Sequence, residues 1–342
     1  MSATIYDIAK VCNCSTTTVS KVFNNSGKIS ETKRQEVLKV AAELGYVPSQ
    51  SARTLASTSK SSHLVAVVLH TTEDRSITHE FFSELLNSFR IEMEKNDYDI
   101  CFLRDLDRDN SSYSYEGLIN SRGIDGVLVL STSFDSKRIQ ELLKLDIPLV
   151  GLNNDLFKYT MSSNNKEVVA EMVDYLVKMG HKRMAYVIPK HEGVSEERYQ
   201  GFLEGLRRNN IEFDKRMEVE GQFYSKESAK IATDNAFKTG YDPTVIIYPD
   251  DYTAIHAIPY LRSLGKKVPK DISLVGFDGI EIASMMRPEI TTIRQDTNAL
   301  GKAAAALMLK QIKNETIENP HIITKASVIC GQTVLNLKEE QR

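Results

Sequence analysis

Residues 15–25 read STTTVSKVFNN, and the chemistry they offer is polar and directional. Thr16 and Thr17 each carry a hydroxyl that donates and accepts and a methyl that packs on apolar surface, and Lys21, one turn further on, carries a mobile ammonium donor. Threonine is a weak helix former because its branched Cβ loses rotamer freedom, yet three of them open what the spacing of Val19, Val22 and Phe23 marks as a helix. Such groups suit a nucleic-acid groove: the hydroxyls meet base edges or phosphates, a methyl meets thymine, and the ammonium reaches guanine acceptors. The bland alternative is a solvated face of an ordinary helical cap.

The elements that would position these groups follow from the flanking residues. Thr4 with Asp7 three residues on resembles a capping box, and Ile5, Ile8, Ala9 and Cys12 then repeat at helical spacing, which predicts a first helix. Asn13 suits a left-handed turn, and Ser15 can accept from the free N–H groups of the next helix, so the break is about three residues long. A third helix is expected from Ser30 as cap, through Val37, Leu38, Val40, Ala41 and Leu44, to Gly45 as stop. Two helices joined by a tight turn, the second polar at its first turn, make the helix-turn-helix geometry that enters a major groove.

Charge agrees with that placement. The first 60 residues hold eight Lys or Arg against four Asp or Glu, a net +4, while the whole chain is −3. A basic head on an acidic body is the asymmetry expected when one end meets a polyanion. At 342 residues, 41% apolar and 26% charged, the chain is long enough for about two or three ordinary globular domains. MSATIYDIAK has no apolar core of signal-peptide length and no stretch approaches a membrane span, so a cytoplasmic protein is expected. Cys12, Cys14, Cys101 and Cys330 form neither a C-x-x-C pair nor a metal-ligand pattern, so no metal, cofactor or disulfide framework is implied.

Residues 4–46 together with YVPSQSARTLAS at 46–57 resemble the head of the lactose-repressor-type (LacI/GalR) family of bacterial transcription regulators, near collinearly. That resemblance implies base-reading roles for Thr16, Thr17 and Lys21. It also implies a hinge helix over 49–56, in which Leu55 wedges into the minor groove, Ala52 packs against the partner hinge, and Ser49 and Arg53 lie along the DNA. A segment of about eight residues is too short to be helical alone, so it should order only with DNA and a second copy. Lys21 stands where the family commonly has arginine, which replaces a bidentate fork by a point charge, and Asn13-Cys14 replaces a usual Gly-Val.

Beyond residue 60, short apolar strands alternate with amphipathic helices. Strands are expected at 64–69, 99–103, 126–130, 148–152, 184–188, 218–221, 244–248 and 272–277, with helices near 80–95, 113–121, 136–145, 166–179, 196–209, 225–239 and 251–264. That is two doubly wound α/β units in tandem. Ligands sit beyond the carboxyl ends of such strands, which draws attention to 70–73, Asn153, Asn154, Asp250, Asp251 and Asp278. MGHKRMAYVI, RYQGFLEGL and LVGFDGIEIASMMRPEITTIRQ resemble the same family's periplasmic-binding-protein-like core, so the resemblance covers almost the whole chain.

The fold class implied is α/β: a three-helix helix-turn-helix head (1–48), a hinge helix and linker (49–60), and a two-subdomain doubly wound core (61–342). Its N-subdomain is expected at about 61–160 and 292–322, its C-subdomain at about 161–291 and 323–342. On the family pattern Arg198 clamps an effector, Phe223 stacks on it, Asp278 accepts its hydroxyls or N–H groups, and Asp250 falls where many members have asparagine. His79, in HEFF where Asn-Pro-Phe-Phe is common, is a further effector-binding candidate, although a surface position is its bland reading. Asn164 stands where an aspartate is common.

No G-x-G-x-x-G, G-x-S-x-G, H-E-x-x-H or Walker motif occurs, so an enzyme is not expected. The expectation is a DNA-binding regulator, a repressor, that works as a homodimer on a near-palindromic operator and is switched by a small-molecule effector, a sugar or sugar derivative, with no membrane partner. A dimer rather than a tetramer is expected because only NLKEEQR follows the last strand. One alternative keeps the DNA head but lets a partner protein or a nucleobase set the switch. A more remote one is a solute-binding protein without a regulatory role.

Overall fold

The computed structural model describes residues 3–23, 27–46, 61–70, 77–104, 106, 113–131, 136–238 and 240–339. The expected hinge residues Ser49, Ala52, Arg53 and Leu55, and residues 71–73 after the first strand, lie outside the described residues. The head is three helices, α1 (Ile5–Val11), α2 (Thr16–Phe23) and α3 (Glu31–Glu43). Ile8, Ala9, Cys12, Val19, Val22, Val37 and Ala41 form its core. Each start is capped as its sequence dictates: Thr4 and Asp7 form a reciprocal box, and Ser30 Oγ accepts from Lys33 N at 3.3 Å.

Two six-stranded sheets follow. The first contains β1 (Leu64–His70), β2 (Asp99–Leu103), β3 (Gly126–Ser131), β4 (Leu149–Leu152), β5 (Thr160–Ser163) and β11 (His321–Thr324), in the order β11-β5-β4-β3-β1-β2 and parallel throughout. The second contains β6 (Met184–Ile188), β7 (Glu218–Glu220), β8 (Val245–Ile247), β9 (Ser273–Asp278), β10 (Thr291–Arg294) and β12 (Ser327–Ile329), in the order β12-β10-β9-β8-β6-β7, with only β10 and β12 antiparallel. Runs such as LVAVVL read as unbroken apolar strings because both faces of a parallel sheet are covered.

Helices α4 (Glu80–Glu94) and α12 (Thr297–Ile312) cover one face of the first sheet, through Phe82, Leu85, Phe89, Leu300 and Ala304 against Val65, Val67 and Leu128. Helices α5 (Tyr115–Arg122) and α6 (Lys137–Leu142) cover the other. On the second sheet α7 (Asn165–Lys178) and α8 (Gly193–Arg208) lie on one face, and α9 (Lys226–Lys238) and α10 (Asp251–Ser263) on the other. A short α11 (Glu281–Met285) follows β9.

The chain passes between the sheets after β5, between β10 and α12, and between β11 and β12. Each crossing lies a few residues beyond the boundary expected from sequence, which falls inside the strand that precedes it. TMSS and TTIR are short and rich in Thr and Ser, and HIIT holds only two apolar residues, so all three lack the apolar run that marks a strand, and α12 was not expected from sequence either.

Candidate functional site

On the head, Val19 and Val22 turn inward while Thr17 and Lys21 are exposed and Thr16 is half-buried. Asn13 takes φ +45°, and Ser15 Oγ accepts from Thr18 N at 3.1 Å, so the turn and the start of α2 are held by the residues predicted to hold them. Lys33 Nζ donates to the Cys12 carbonyl at 2.5 Å, which ties α3 to the end of α1. The two exposed groups stand on one side of a helix whose other side is fixed in the core.

In the body, strand order reverses next to β1 in the first sheet and next to β6 in the second, and carboxyl ends of strands from both sheets meet there. Arg198, on α8, is 6% exposed. Its Nε donates to Asn165 Oδ1 at 3.0 Å, its Nη1 to the Pro249 carbonyl at 3.3 Å, and its guanidinium lies 3.5 Å from the Phe277 ring centroid and 6.0 Å from that of Phe223. Among the described residues no carboxylate forms a salt bridge with it.

Asp278 ends β9 at φ +107°, 4% exposed. Gln295 Nε2 donates to its Oδ1 at 2.8 Å, while its Oδ2 has no hydrogen-bond partner. Burial pushes its carboxyl up to about 7, against the pull of Arg198 and with the push of Asp250. His79 stands 3.9 Å away across the cleft, where the N-terminus of α4 meets the second sheet. The surface reading of His79 is therefore corrected: it is 4% exposed, boxed by Phe82, Tyr224 and Tyr252 at ring separations of 5.6, 4.2 and 4.7 Å. Neither ring nitrogen has a hydrogen-bond partner, and burial lowers its pKa to about 4. Beside the pair is a small cavity of about 50 Å³ lined by Thr78, His79, Tyr224, Tyr252 and His256. Next to it the Glu80 carboxylate accepts from the Glu281 N–H, a second contact between the sheets.

Asp250 caps α10. Thr253 N and Thr253 Oγ1 donate to it, both at 2.7 Å, and it also accepts from Tyr224 N at 2.8 Å. It thereby fixes the turn that carries Phe223 and Tyr224, and burial raises its carboxyl to about 6. Asp251 accepts from Gly279 N at 2.8 Å, Ile280 N at 2.9 Å and Thr292 Oγ1 at 2.6 Å. Gly276 permits this approach, since a Cβ there would lie 2.1 Å from Asp251 Oδ1. Asn164 Oδ1 accepts from Ala326 N at 2.7 Å, a link across two chain crossings. Sequence reasoning had not singled out Asn165, Tyr224, Tyr252, Phe277 or Gln295; their adjacency to Asn164, Phe223, Asp251, Asp278 and the TTIRQ motif was the signal available.

The site thus holds one buried guanidinium, a rim of aromatic rings, and two facing polar groups with unused hydrogen-bond capacity. It can grip a ligand by hydrogen bonds and ring stacking. Three buried carboxylates against one arginine disfavour a multiply anionic ligand.

Residues 4–49 match the family described as bacterial regulatory proteins, lacI family, and residues 173–334 match the periplasmic binding protein-like domain. The chain is 30% identical over 340 residues to the probable HTH-type transcriptional repressor ExuR of Bacillus subtilis, covering 98% of this chain and 99% of that one. It is 29% identical to the HTH-type transcriptional repressor CytR of Escherichia coli, over 92% of each. A structure of the Lac repressor dimer bound to operator and the anti-inducer ONPF aligns with TM-score 0.80 at 23% identity, covering 98% of this chain and 100% of that one. A complex of the transcriptional regulator CelR with cellobiose aligns at 0.73 and 22%, covering 97% and 99%. Those relatives are repressors and not enzymes, and this chain belongs to their family: it is a LacI-family transcriptional repressor with a helix-turn-helix DNA-binding head and an effector-binding, periplasmic-binding-protein-like core.

Proposed function

We propose that this repressor binds a near-palindromic operator as a cytoplasmic homodimer, and that a small neutral sugar or sugar derivative between the two sheets sets its operator affinity. The observation that carries the reading is the cleft itself: a buried Arg198 braced on Phe277 beside an Asp278 whose Oδ2 has no partner. A hydroxyl can donate to that oxygen and a pyranose face can lie on Phe223, which is the combination a polyhydroxylated ring requires.

Thr16, Thr17 and Lys21 read bases, and residues 49–56 fold into the minor groove, with Ser49, Ala52, Arg53 and Leu55 in the roles the family implies. Effector that favours one relative setting of the two sheets shifts the hinges in the dimer, and the coupling is set by its differential affinity for the two states. In a thermal-shift screen with neutral sugars, a hit should lose its effect in Asp278→Asn, while operator binding by that variant survives. Undiminished ligand affinity in Asp278→Asn would remove the carboxylate from the site.

A further inference from the structure

His79 occupies the cap position of α4 and caps nothing: its side chain makes no bond to the helix N–H groups, the role that Ser, Thr, Asp or Asn usually fills there. The ring crosses instead to the second sheet, where it packs against Tyr224 at 4.2 Å and Tyr252 at 4.7 Å. The place that receives it is built. Tyr224 stands at φ +56°, a left-handed conformation seldom used by a bulky side chain, and its N–H is held by Asp250 Oδ2 at 2.8 Å. Tyr252 lies in the first turn of α10, which the same Asp250 caps.

Packing rather than charge holds the ring there. Its Nε2 lies 3.9 Å from Asp278 Oδ2, too far for a hydrogen bond, and burial keeps the imidazole uncharged at neutral pH. Both ring nitrogens and Asp278 Oδ2 are buried without a hydrogen-bond partner. Aromatic contacts therefore close this point of the cleft, while three unmatched polar atoms oppose the closure and are relieved when it opens.

The same contact covers the oxygen through which the cleft would grip an effector. Asp278 Oδ2 is buried with the His79 ring facing it, and the space beside the pair is about 50 Å³, against about 300–1,000 Å³ for sites that enclose a small molecule. A ligand that donates to this oxygen must first displace the ring. Next to it, the Glu281 N–H donates across the cleft to the carboxylate of Glu80, so both contacts tie the start of α4 to the second sheet.

We propose that His79 is a built-in stopper of the effector cleft: in the ligand-free repressor it fills the place in front of Asp278 and holds the two sheets together, and an effector acts by displacing it. The inference rests on the cleft being the effector site, and not on the effector being a sugar. The ligand-free state is then the closed one, and binding releases the start of α4 from the second sheet.

Amide exchange on the full-length, ligand-free protein tests it, resolved to the Glu281 N–H as reporter of the contact across the cleft. This amide should be protected in the wild-type protein. In His79→Ala, which empties the box, it should exchange tenfold or more faster, with β6 and β8 unchanged. His79→Leu keeps a side chain of similar size in the box and removes the unmatched ring nitrogens, so exchange there should slow threefold or more. Opposite shifts in the two variants mark a stopper. An unprotected Glu281 N–H in the wild type, or equal exchange in wild type and His79→Ala, overturns it. If His79→Ala loosens the whole core, His79→Leu decides alone, and unchanged or faster exchange in that variant overturns the proposal.

Calorimetry with glucose, galactose and cellobiose adds the ligand side. A sugar that binds the wild type should bind His79→Ala fivefold or more tighter and His79→Leu more weakly, because the open form is the binding-competent one. Weaker binding to His79→Ala would make His79 a ligand contact and overturn the stopper. If no sugar binds any of the three proteins, the sugar reading falls and the exchange result decides the stopper by itself.

Discussion

The head and the cleft satisfy their polar groups in opposite ways. In the head the helix starts are closed by partners three residues apart, Thr4 with Asp7, Ser15 with Thr18 and Ser30 with Lys33, and the Lys33 to Cys12 tie spans 21 residues, so each helix start carries its own closure. In the cleft Asp251 finds donors 28, 29 and 41 residues away, and Arg198 is braced by Asn165 and Pro249, 33 and 51 residues away. A locally closed unit can expose its functional groups without cost, because nothing else depends on them. The cleft instead buries its candidate effector-binding groups inside the network that shapes it, so the proposed site and the stability of the core share side chains.

That contrast fails if Asp251→Ala leaves the core intact. The substitution orphans two backbone N–H groups and a threonine hydroxyl in a fully buried place, and should cost roughly 3–5 kcal/mol of core stability. Urea denaturation followed by core amide exchange measures it, and α1 to α3 should be unaffected. A loss below about 1 kcal/mol would mean that the carboxylate is not what fixes the turn after β9.

The same contrast explains what the sequence made legible. Caps, turn and apolar stripe specified α1 to α3 almost to the residue, because helix signals act over three or four positions. The strands with strong apolar runs were equally plain. What escaped were β5 and β10, where Thr and Ser hold strand positions through pairing, the short β11, which pairs with β5 about 160 residues away, and α12, which packs beside α4 although about 200 residues separate them. In the cleft, Arg198, Phe223 and Asp278 were singled out through family likeness rather than spacing. The burial of His79 could not be read at all, since its box is made by Tyr224 and Tyr252 from the other sheet.

The facing pair His79 and Asp278 should give opposite slopes of stability with pH. The folded protein lacks a proton on His79 that the unfolded chain holds between about pH 4 and 6.5, so this residue makes stability rise with pH in that window. Asp278 keeps a proton in the fold, from about pH 4 up to about 7, that the unfolded chain has lost, so its contribution falls as pH rises. The two largely cancel in the intact protein. Relative to it, Asp278→Asn should gain roughly 1–3 kcal/mol between pH 4.5 and 6.5, and His79→Gln should lose a similar amount. Urea melts at half-unit steps decide this, and parallel curves for all three proteins would show that the pair does not titrate as a buried couple.

On the head, Lys21→Ala should cost about 1–3 kcal/mol on the preferred operator and much less on random DNA, because base contacts specify while phosphate contacts position. Fluorescence anisotropy at fixed salt separates the two. Since Lys21 is exposed, the substitution should leave the thermal stability of the head unchanged. Equal losses on both DNAs would make Lys21 a backbone contact.

The smallest effect expected is the most local. Ser30 Oγ accepts from Lys33 N at the start of α3, and its removal leaves one helix N–H without a partner other than water. Ser30→Ala should therefore cost about 1 kcal/mol, and Ser30→Gly only a few tenths, because glycine lets water reach the free N–H groups. Both losses should appear as faster amide exchange in α1 to α3 and nowhere in the two sheets. If Ser30→Ala also loosened β8 to β10, the head would not be the self-closed unit its three-residue hydrogen bonds describe, and the division between local and long-range closure would have to be redrawn.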